Sequence, residues 1–192
     1  MIKAVYSDKN NVVEILANCF DDNKSVNYII PQDKFRKQRI KRLMQYCFDT
    51  CFASGAVFLS DDKKGCALMI LPDKKRLTLR SAWLDTKLIF SAIGLSGIKK
   101  TLARERMIKK LQPKEPLYYL WYIGVHPDHQ NAGIGTRLLK EIMEQSKTSK
   151  RTICLETSTV KNIPWYEKHG FEIYNQLDTG YKLFFLKKTS SK

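Results

Sequence analysis

No stretch of this sequence approaches the ~20 consecutive apolar residues that a membrane-spanning helix requires. The amino terminus, residues 1–9, also lacks the basic and then apolar layout of a secretory signal peptide. We therefore expect no membrane partner and predict a cytoplasmic location.

Paired cysteines and metal-ligand spacings are missing as well. The five cysteines include no C-x-x-C pair and have no histidine nearby at the spacing of a zinc site. They lie among apolar neighbours, which predicts reduced core side chains at Cys19, Cys47, Cys51, Cys66 and Cys154. His126 and His129 are close in sequence, but further ligands are not evident, so we predict no metal.

Acidic residues are few relative to basic ones, with 19 Asp and Glu against 34 Lys and Arg and a net charge of +15. The excess is concentrated in residues 34–42 and 99–110. Such clusters are typical either of a solvated helix face or of a surface that binds nucleic acid. Charge alone does not decide between them.

The length of 192 residues suits one domain, residues 1–192, that buries about 70% of the surface exposed by its unfolded chain. Periodicity and turn residues predict strands at 1–5, 56–60, 66–71, 117–125, 152–156, 171–175 and 181–186. They predict helices at about 8–20, 34–53 and 134–147, a short helix before Gly170, and a long helical segment at 75–112 that is broken by Gly94 and Gly97.

A glycine-containing loop joins the apolar strand at 117–125 to the helix that follows it, with the sequence VHPDHQNAGIGT at residues 125–136. Backbone N–H groups at the start of a helix are suited to phosphate oxygens. The loop lacks the lysine of a Walker A motif, and Leu138 stands where a Rossmann fingerprint has its third glycine. Neither nucleotide-binding motif is therefore present.

The same residues match the acetyl-CoA signature V-x-P-x-x-[QR]-x-x-G-x-[GA] in full, from Val125 to Gly135. Further on, NIPWYEKHGF at residues 162–171 resembles the second signature of the same group, with one residue fewer between Asn162 and Tyr166. The chain thus resembles the GNAT superfamily of acetyl-CoA-dependent N-acyltransferases over nearly its whole length, and residues 75–112 resemble an insertion.

The resemblance implies an α/β (α+β) fold: a mixed, mostly antiparallel sheet of about seven strands, splayed at the central strand, with helices on both faces. It implies acetyl-CoA as cosubstrate, with its pyrophosphate on the amides of residues 131–136 and its pantetheine arm along residues 123–125, where Gly124 fits the splay. The cofactor-binding positions implied are Ile123, Gly124, Val125, Gln130, Asn131, Ala132, Gly133, Ile134, Gly135, Thr136 and Asn162.

By the same analogy, Tyr166 donates a proton to the leaving CoA sulfur, although a tyrosine beside Trp165 and Phe171 also suits core packing. Glu156, at the end of a strand, is a candidate base acting through water, or else a carboxylate paired with a lysine. The identity of the base stays open.

The predicted function is acetyl transfer from acetyl-CoA to a primary amine of a small molecule, by direct attack in a ternary complex. Alternatives are a protein or peptide amine, a non-catalytic CoA-binding protein, or a nucleic-acid-binding protein. We expect a monomer or homodimer and do not expect nucleic acid as a partner. Apolar residues of the insertion, including Trp83, Leu84, Leu88, Ile89 and Phe90, are expected to form one wall of the acceptor site, with Trp83 in contact with the acceptor.

Overall fold

The computed structural model describes residues 1–74 and 78–189, so residues 75–77 of the predicted insertion lie outside the described residues. Seven strands in those ranges form one sheet in the order β1-β2-β3-β4-β5-β7-β6. The strands are β1 (Ile2–Lys3), β2 (Gly55–Leu59), β3 (Gly65–Ile70), β4 (Leu117–Val125), β5 (Thr152–Thr157), β6 (Glu172–Asp178) and β7 (Lys182–Lys188). Neighbouring strands are antiparallel except for the central pair, β4 and β5. The predicted mixed, mostly antiparallel sheet is confirmed.

Helices pack on both faces of this sheet. They are α1 (Lys9–Cys19), α2 (Lys24–Ile29), α3 (Arg36–Ser54), α4 (Leu79–Leu88), α5 (Ile98–Leu111), α6 (Ile134–Thr148) and α7 (Ile163–Lys168). Because successive strand residues point to opposite faces, β3 supplies Leu68 to the core beneath α1 and α3 and Met69 to the core beneath α6. All of β3 is buried for this reason.

The first core contains buried α1 and α3 side chains at the spacing that the sequence indicated, and the second contains those of α6. The five cysteines form no disulfide with one another; four of them are buried and Cys19 is half-buried. None of the described helices is long and apolar enough to cross a membrane.

Helix α2 is the element that the sequence did not predict. It is six residues long, too short to show a helical period, and it begins where the Asn23 side chain accepts a hydrogen bond from the Val26 amide at 3.1 Å. Val26 and Ile29 then face the cavity described below.

The insertion folds as two helices, as predicted, with α4 extended by a π-helical turn at Ile89–Ile93. Arginines from the first basic cluster hold this turn: Arg39 donates to the Ala92 carbonyl at 3.2 Å and Arg42 to the Ser91 carbonyl at 3.0 Å. These two arginines dock the insertion on α3, so they do not belong to a purely solvated face.

Candidate active site

The central strands of the sheet separate toward the carboxyl end of β4. Pairing between β4 and β5 is limited to Leu117, Tyr118 and Tyr119, although β4 continues to Val125 and β5 to Thr157. On its other side β4 stays paired with β3 as far as Val125. Beyond Tyr119, the β5-facing edge of β4 is therefore open, which is the expected splay.

A β-bulge accompanies the splay. Leu68 of β3 lies opposite Tyr122 and Met69 lies opposite Leu120, so Trp121 is the additional residue on β4. A bulge bends a strand and increases its twist. The bulge does not involve Gly124, which remains paired with Cys66.

Gly124 is instead required by the close approach of α1. A Cβ at this position would lie 3.2 Å from the Cys19 Sγ and 3.3 Å from a Leu16 methyl carbon. The Cys19 thiol also donates to the Val125 carbonyl at 2.9 Å. These contacts fix the end of β4 against α1.

The loop between β4 and α6 places two residues in the left-handed region, Asn131 at φ 64° and Gly133 at φ 77°. Gly133 is the N-cap of α6 and a Cβ there would meet open space, so backbone conformation rather than crowding favours glycine. The Gln130 side chain donates back to the Val125 carbonyl at 3.2 Å and closes the loop.

The backbone amides of residues 131–136 find no protein acceptor anywhere in the described chain. The next backbone amide along the chain, that of Arg137, does donate a hydrogen bond, to the Gly133 carbonyl at 3.0 Å. Free amides at a helix N-terminus, together with the positive end of the macrodipole, favour an anion. The Thr136 hydroxyl accepts a hydrogen bond from the Trp165 indole at 3.1 Å and joins this turn to α7.

A cavity of about 480 Å³ lies between the open edge of β4, the end of β5, α2, α7 and the insertion. It brings together four of the predicted catalytic and cofactor-binding residues, Glu156, Tyr166, Asn162 and Ile123. The other predicted positions do not line it; Gly124, Val125 and residues 130–136 continue from β4 into the loop before α6.

Glu156 lies on β5 and points into this cavity. Its carboxylate accepts hydrogen bonds from the Tyr119 hydroxyl and from the Gln112 side chain, the latter at 3.2 Å. Burial raises the pKa of Glu156 to about 7, although these two hydrogen bonds and the charge of Arg104 act in the opposite direction. No lysine pairs with it among the described residues, so the paired-carboxylate alternative is not observed.

Arg104 is a buried member of the second basic cluster that the sequence reasoning missed. Its guanidinium donates to the Tyr181 hydroxyl at 2.8 Å, to Glu105 at 2.9 Å and to the Ser25 hydroxyl. These bonds tie α5 to α2 and to the turn before β7, and they fix the insertion against the rim of the cavity. A single arginine inside a basic helix carries no sequence signal that separates it from its exposed neighbours.

Tyr166 lies on α7 with its ring edge-to-face against Phe171, at a centroid distance of 5.6 Å. The residue is buried, yet its hydroxyl has no hydrogen-bond partner among the described residues. Burial raises the pKa of Tyr166, so its phenol keeps its proton at neutral pH. Core packing therefore accounts for the position of the Tyr166 ring, and its hydroxyl is left free to interact with a molecule in the cavity.

The insertion forms one wall of the cavity through Leu88, Ile89 and Ile93. Trp83 does not take part; 60% of it is exposed, and the Lys87 ammonium lies 5.0 Å from its ring centroid. The prediction that Trp83 contacts the acceptor is therefore wrong, because Leu88, not Trp83, is on the inward side of α4.

The two histidines of the loop, His126 and His129, have ring centroids 5.8 Å apart. Within residues 1–74 and 78–189, no group of three or more His, Cys, Asp or Glu side chains is placed to hold a metal ion.

Parts of this sequence are similar to known proteins. Residues 89–173, less than half of the chain, match the family model described as an acetyltransferase (GNAT) domain. A curated relative, a probable serine/threonine-protein kinase of Dictyostelium discoideum, is 29% identical over 69 residues, which are 36% of this chain. That match spans only 7% of the kinase's length.

Solved structures share the whole fold. A Corynebacterium glutamicum structure described as histone acetyltransferase HPA2 and related acetyltransferase aligns with a TM-score of 0.74 at 18% identity, over 100% of this chain and 96% of that one. Arylalkylamine N-acetyltransferase 2 of Aedes aegypti aligns with a TM-score of 0.63 at 15% identity, over 99% and 98% of the two chains. At these identities the likeness shows the fold alone. Together with the family match it confirms the predicted resemblance: residues 89–173 match an acetyltransferase (GNAT) domain, and the whole chain has the fold of the solved acetyltransferases.

Proposed function

We propose that the protein is an N-acetyltransferase that moves an acetyl group from acetyl-CoA to a primary amine of a small molecule, by direct attack in a ternary complex. The observation that carries this proposal is the cavity at the open end of β4, which is lined by both Glu156 and Tyr166. A carboxylate with a pKa near neutrality and a protonated phenol form a base and an acid in one site.

The residues at the open edge of β4 fit acetyl-CoA, which supplies the acetyl thioester when bound. The free amides of residues 131–136 suit its pyrophosphate, and the unpaired edge at residues 123–125 suits the amide groups of its pantetheine arm. Gln130 holds the loop closed, and Asn162 lies where the cavity meets α7.

Glu156 accepts a proton from the acceptor amine, directly or through a water, since a neutral amine is the nucleophile. Its ordinary pKa would make it a weak base at pH 7, and the raised value brings it close to the working range. Tyr166 supplies a proton to the departing sulfur, because its hydroxyl keeps its proton at neutral pH and has no protein partner among the described residues. Tyr119 and Gln112 orient the Glu156 carboxylate.

The cavity wall supports an amine with an apolar body as the acceptor. Apolar side chains from α2, α3 and the insertion line the cavity, namely Ile29, Leu43, Leu88, Ile89, Ile93 and Ile98. The charged residues that line the cavity are the acids Asp85, Glu105 and Glu156 and the cations Arg104 and Lys109, so acids are in the majority there although the net charge of the chain is +15. Local carboxylates attract a protonated amine that the overall charge would repel, and the apolar wall gains from an alkyl or aryl group.

The direct test is incubation with acetyl-CoA and a panel of small aryl and alkyl amines, amino acids, polyamines and a basic peptide. Free thiol and acetylated masses are followed together. We expect thiol release matched by acetylation of a small amine with an apolar group. Acetylation of the basic peptide alone would replace the small-molecule acceptor with a protein one, and CoA binding without any product would indicate a non-catalytic protein.

The substitution Gly133→Glu should abolish the stabilisation by acetyl-CoA. A ligand at one hundred times its Kd raises the free energy of unfolding by about 2.7 kcal/mol, and the new carboxylate would stand among the amides that we assign to pyrophosphate. The measurement is the shift in Tm with acetyl-CoA. Gly180→Glu is the matched control, because Gly180 also has positive φ, at 91°, with open space around it. If acetyl-CoA raised the Tm of Gly133→Glu as much as that of the parent, the assignment of these amides to pyrophosphate would be wrong.

The substitution Leu88→Ala should raise KM for the acceptor about tenfold, because it removes apolar contact from the cavity wall. KM for acetyl-CoA should change less than twofold. Trp83→Ala, five residues earlier on the outer side of the same helix, should leave both values unchanged. Equal effects of the two substitutions on acceptor KM would contradict the assignment of the wall.

A further inference from the structure

The outer side of the insertion exposes large apolar side chains. The most exposed are Leu79 at 94%, Phe90 at 69%, Leu95 at 66% and Trp83 at 60%. Side chains of this size and exposure, close together in sequence, exceed the scattered apolar residues that a soluble surface normally carries.

The spacing of Leu79, Trp83 and Phe90 places them along one side of α4 and its π-helical extension. At 100° per residue, Leu79, Trp83 and Phe90 fall within about 40° of one another. Leu84 and Leu88 fall about 120–180° away on the inward side, where Leu84 is buried and Leu88 lines the cavity. Both sides of α4 are thus apolar, and among the described residues only the inner side is covered by the rest of the fold.

Two basic side chains lie beside this apolar line, because Arg80 and Lys87 fall about 40–60° from Trp83 around α4 and the Lys87 ammonium lies 5.0 Å from the Trp83 ring centroid. Between residues 78 and 112 there are eight Lys and Arg against two Asp and Glu. Of the two acids, Glu105 pairs with Arg104 and Asp85 accepts a hydrogen bond from the Tyr46 hydroxyl at 2.6 Å. The exposed cations are Arg80, Lys87, Lys99, Lys100, Arg106, Lys109 and Lys110.

We propose that this face, named here the insertion face and made of Leu79, Trp83 and Phe90 with Arg80 and Lys87 beside them, docks on an anionic lipid bilayer. Trp, Phe and Leu in a line with Lys and Arg at the sides are the composition of a helix that lies in a membrane interface. The cations bind anionic headgroups while the apolar side chains enter the acyl boundary, and the long Lys and Arg side chains reach back to the headgroups.

Charge and shape favour a bilayer over the other occupants of such a face. A second copy would bring its own Arg80 and Lys87 against the same two exposed cations, which opposes an isologous dimer. A protein partner requires complementary pockets, whereas the apolar side chains here protrude individually along a helix. A bilayer accommodates protruding side chains without any fixed shape.

The inference departs from the expectation of no membrane partner, because that expectation considered only segments long enough to span a bilayer. It does not depend on the proposed acetyl transfer. If both hold, the bilayer would lie against the segment whose inner side chains Leu88, Ile89 and Ile93 line the cavity, next to an apolar phase in which amines with an apolar body concentrate.

The test is sedimentation of the full chain with vesicles of phosphatidylcholine alone and of phosphatidylcholine with about 30% phosphatidylserine. We expect at least about tenfold tighter binding to the anionic vesicles, weakened by salt as the screening length shortens. The double substitution Trp83→Ser/Phe90→Ser should reduce that binding at least about tenfold, and Arg80→Gln/Lys87→Gln should reduce it several-fold. Trp83 fluorescence should shift to the blue only with anionic vesicles.

The matched control is Ile173→Ser/Lys182→Gln, which removes one exposed apolar and one exposed basic residue from the β6 and β7 hairpin. It should bind vesicles like the parent chain. Equal binding of the parent to both vesicle types, or equal losses in the control and Trp83→Ser/Phe90→Ser variants, overturns the proposal. A change of sedimentation coefficient caused by Trp83→Ser/Phe90→Ser in lipid-free solution also overturns it, in favour of self-association. Circular dichroism and Tm verify that the variants are folded.

Discussion

Replacement of Tyr166 by phenylalanine should lower kcat by about 10²–10⁴-fold while the affinity for acetyl-CoA changes little. The substitution keeps the ring that packs against Phe171 and Trp165 and deletes only a hydroxyl with no partner in the described chain. Because the ring packing is kept and Tyr166 lines the cavity, Tm of the variant should stay close to that of the parent. Steady-state kinetics with the acceptor found in the amine panel provide the measurement.

Tyr118→Phe separates this effect from the general effect of losing a phenol. Tyr118 is a buried tyrosine whose hydroxyl donates to Gln145 at 2.7 Å and which does not line the cavity. Its replacement should lower Tm, because a hydrogen bond is lost, and should leave kcat within about twofold. If Tyr166→Phe retained the parent kcat, water would have to protonate the leaving sulfur and Tyr166 would be a packing residue.

The parts of the fold that follow from local chemistry were predictable. The apolar run of β4, the glycines of the loop and the regular stripe of α6 each follow from residues close in sequence, and the structure places β4 at Leu117–Val125 and α6 at Ile134–Thr148. Helix α2 was not predictable in this way, because six residues contain less than two helical turns and its N-cap Asn23 occurs equally in turns.

The candidate site was only partly predictable, because its electrostatics depend on contacts distant in sequence. Glu156 could be selected as a strand-end carboxylate, but Tyr119 and Gln112 reach it across 37 and 44 residues. Likewise, a helix that is apolar on two sides does not reveal which side faces inward. Trp83 and Leu88 were equivalent in the sequence, and packing placed Leu88 in the cavity and left Trp83 outside.

Glu156→Gln should lower kcat/KM by about 10²–10⁴-fold and remove one acid limb from its pH profile. A base must be deprotonated to act, so the parent should lose activity as pH falls through about 7, the value to which burial raises the pKa of Glu156. Protonation of the acceptor amine also lowers the rate toward acid pH. This effect is the same for every variant, so it cancels when kcat/KM of a variant is divided by kcat/KM of the parent at the same pH. Tyr119→Phe removes a hydrogen bond that lowers this pKa, so its acid limb should move to higher pH.

The raised pKa of Glu156 should also make the free energy of unfolding depend on pH in the absence of substrate. Its pKa in the folded chain, about 7, exceeds its ordinary value of 4.5, so the folded state holds a proton that the unfolded state releases between these pH values. The parent should therefore lose free energy of unfolding relative to Glu156→Gln as pH rises from 4.5 to 7, by about 3 kcal/mol in total. Above pH 7 the difference should stay constant. Urea unfolding of both proteins at pH 5 and pH 8 measures it. A difference that does not change with pH would mean that Glu156 titrates at its ordinary pKa and is too weak a base, near neutral pH, for the role proposed.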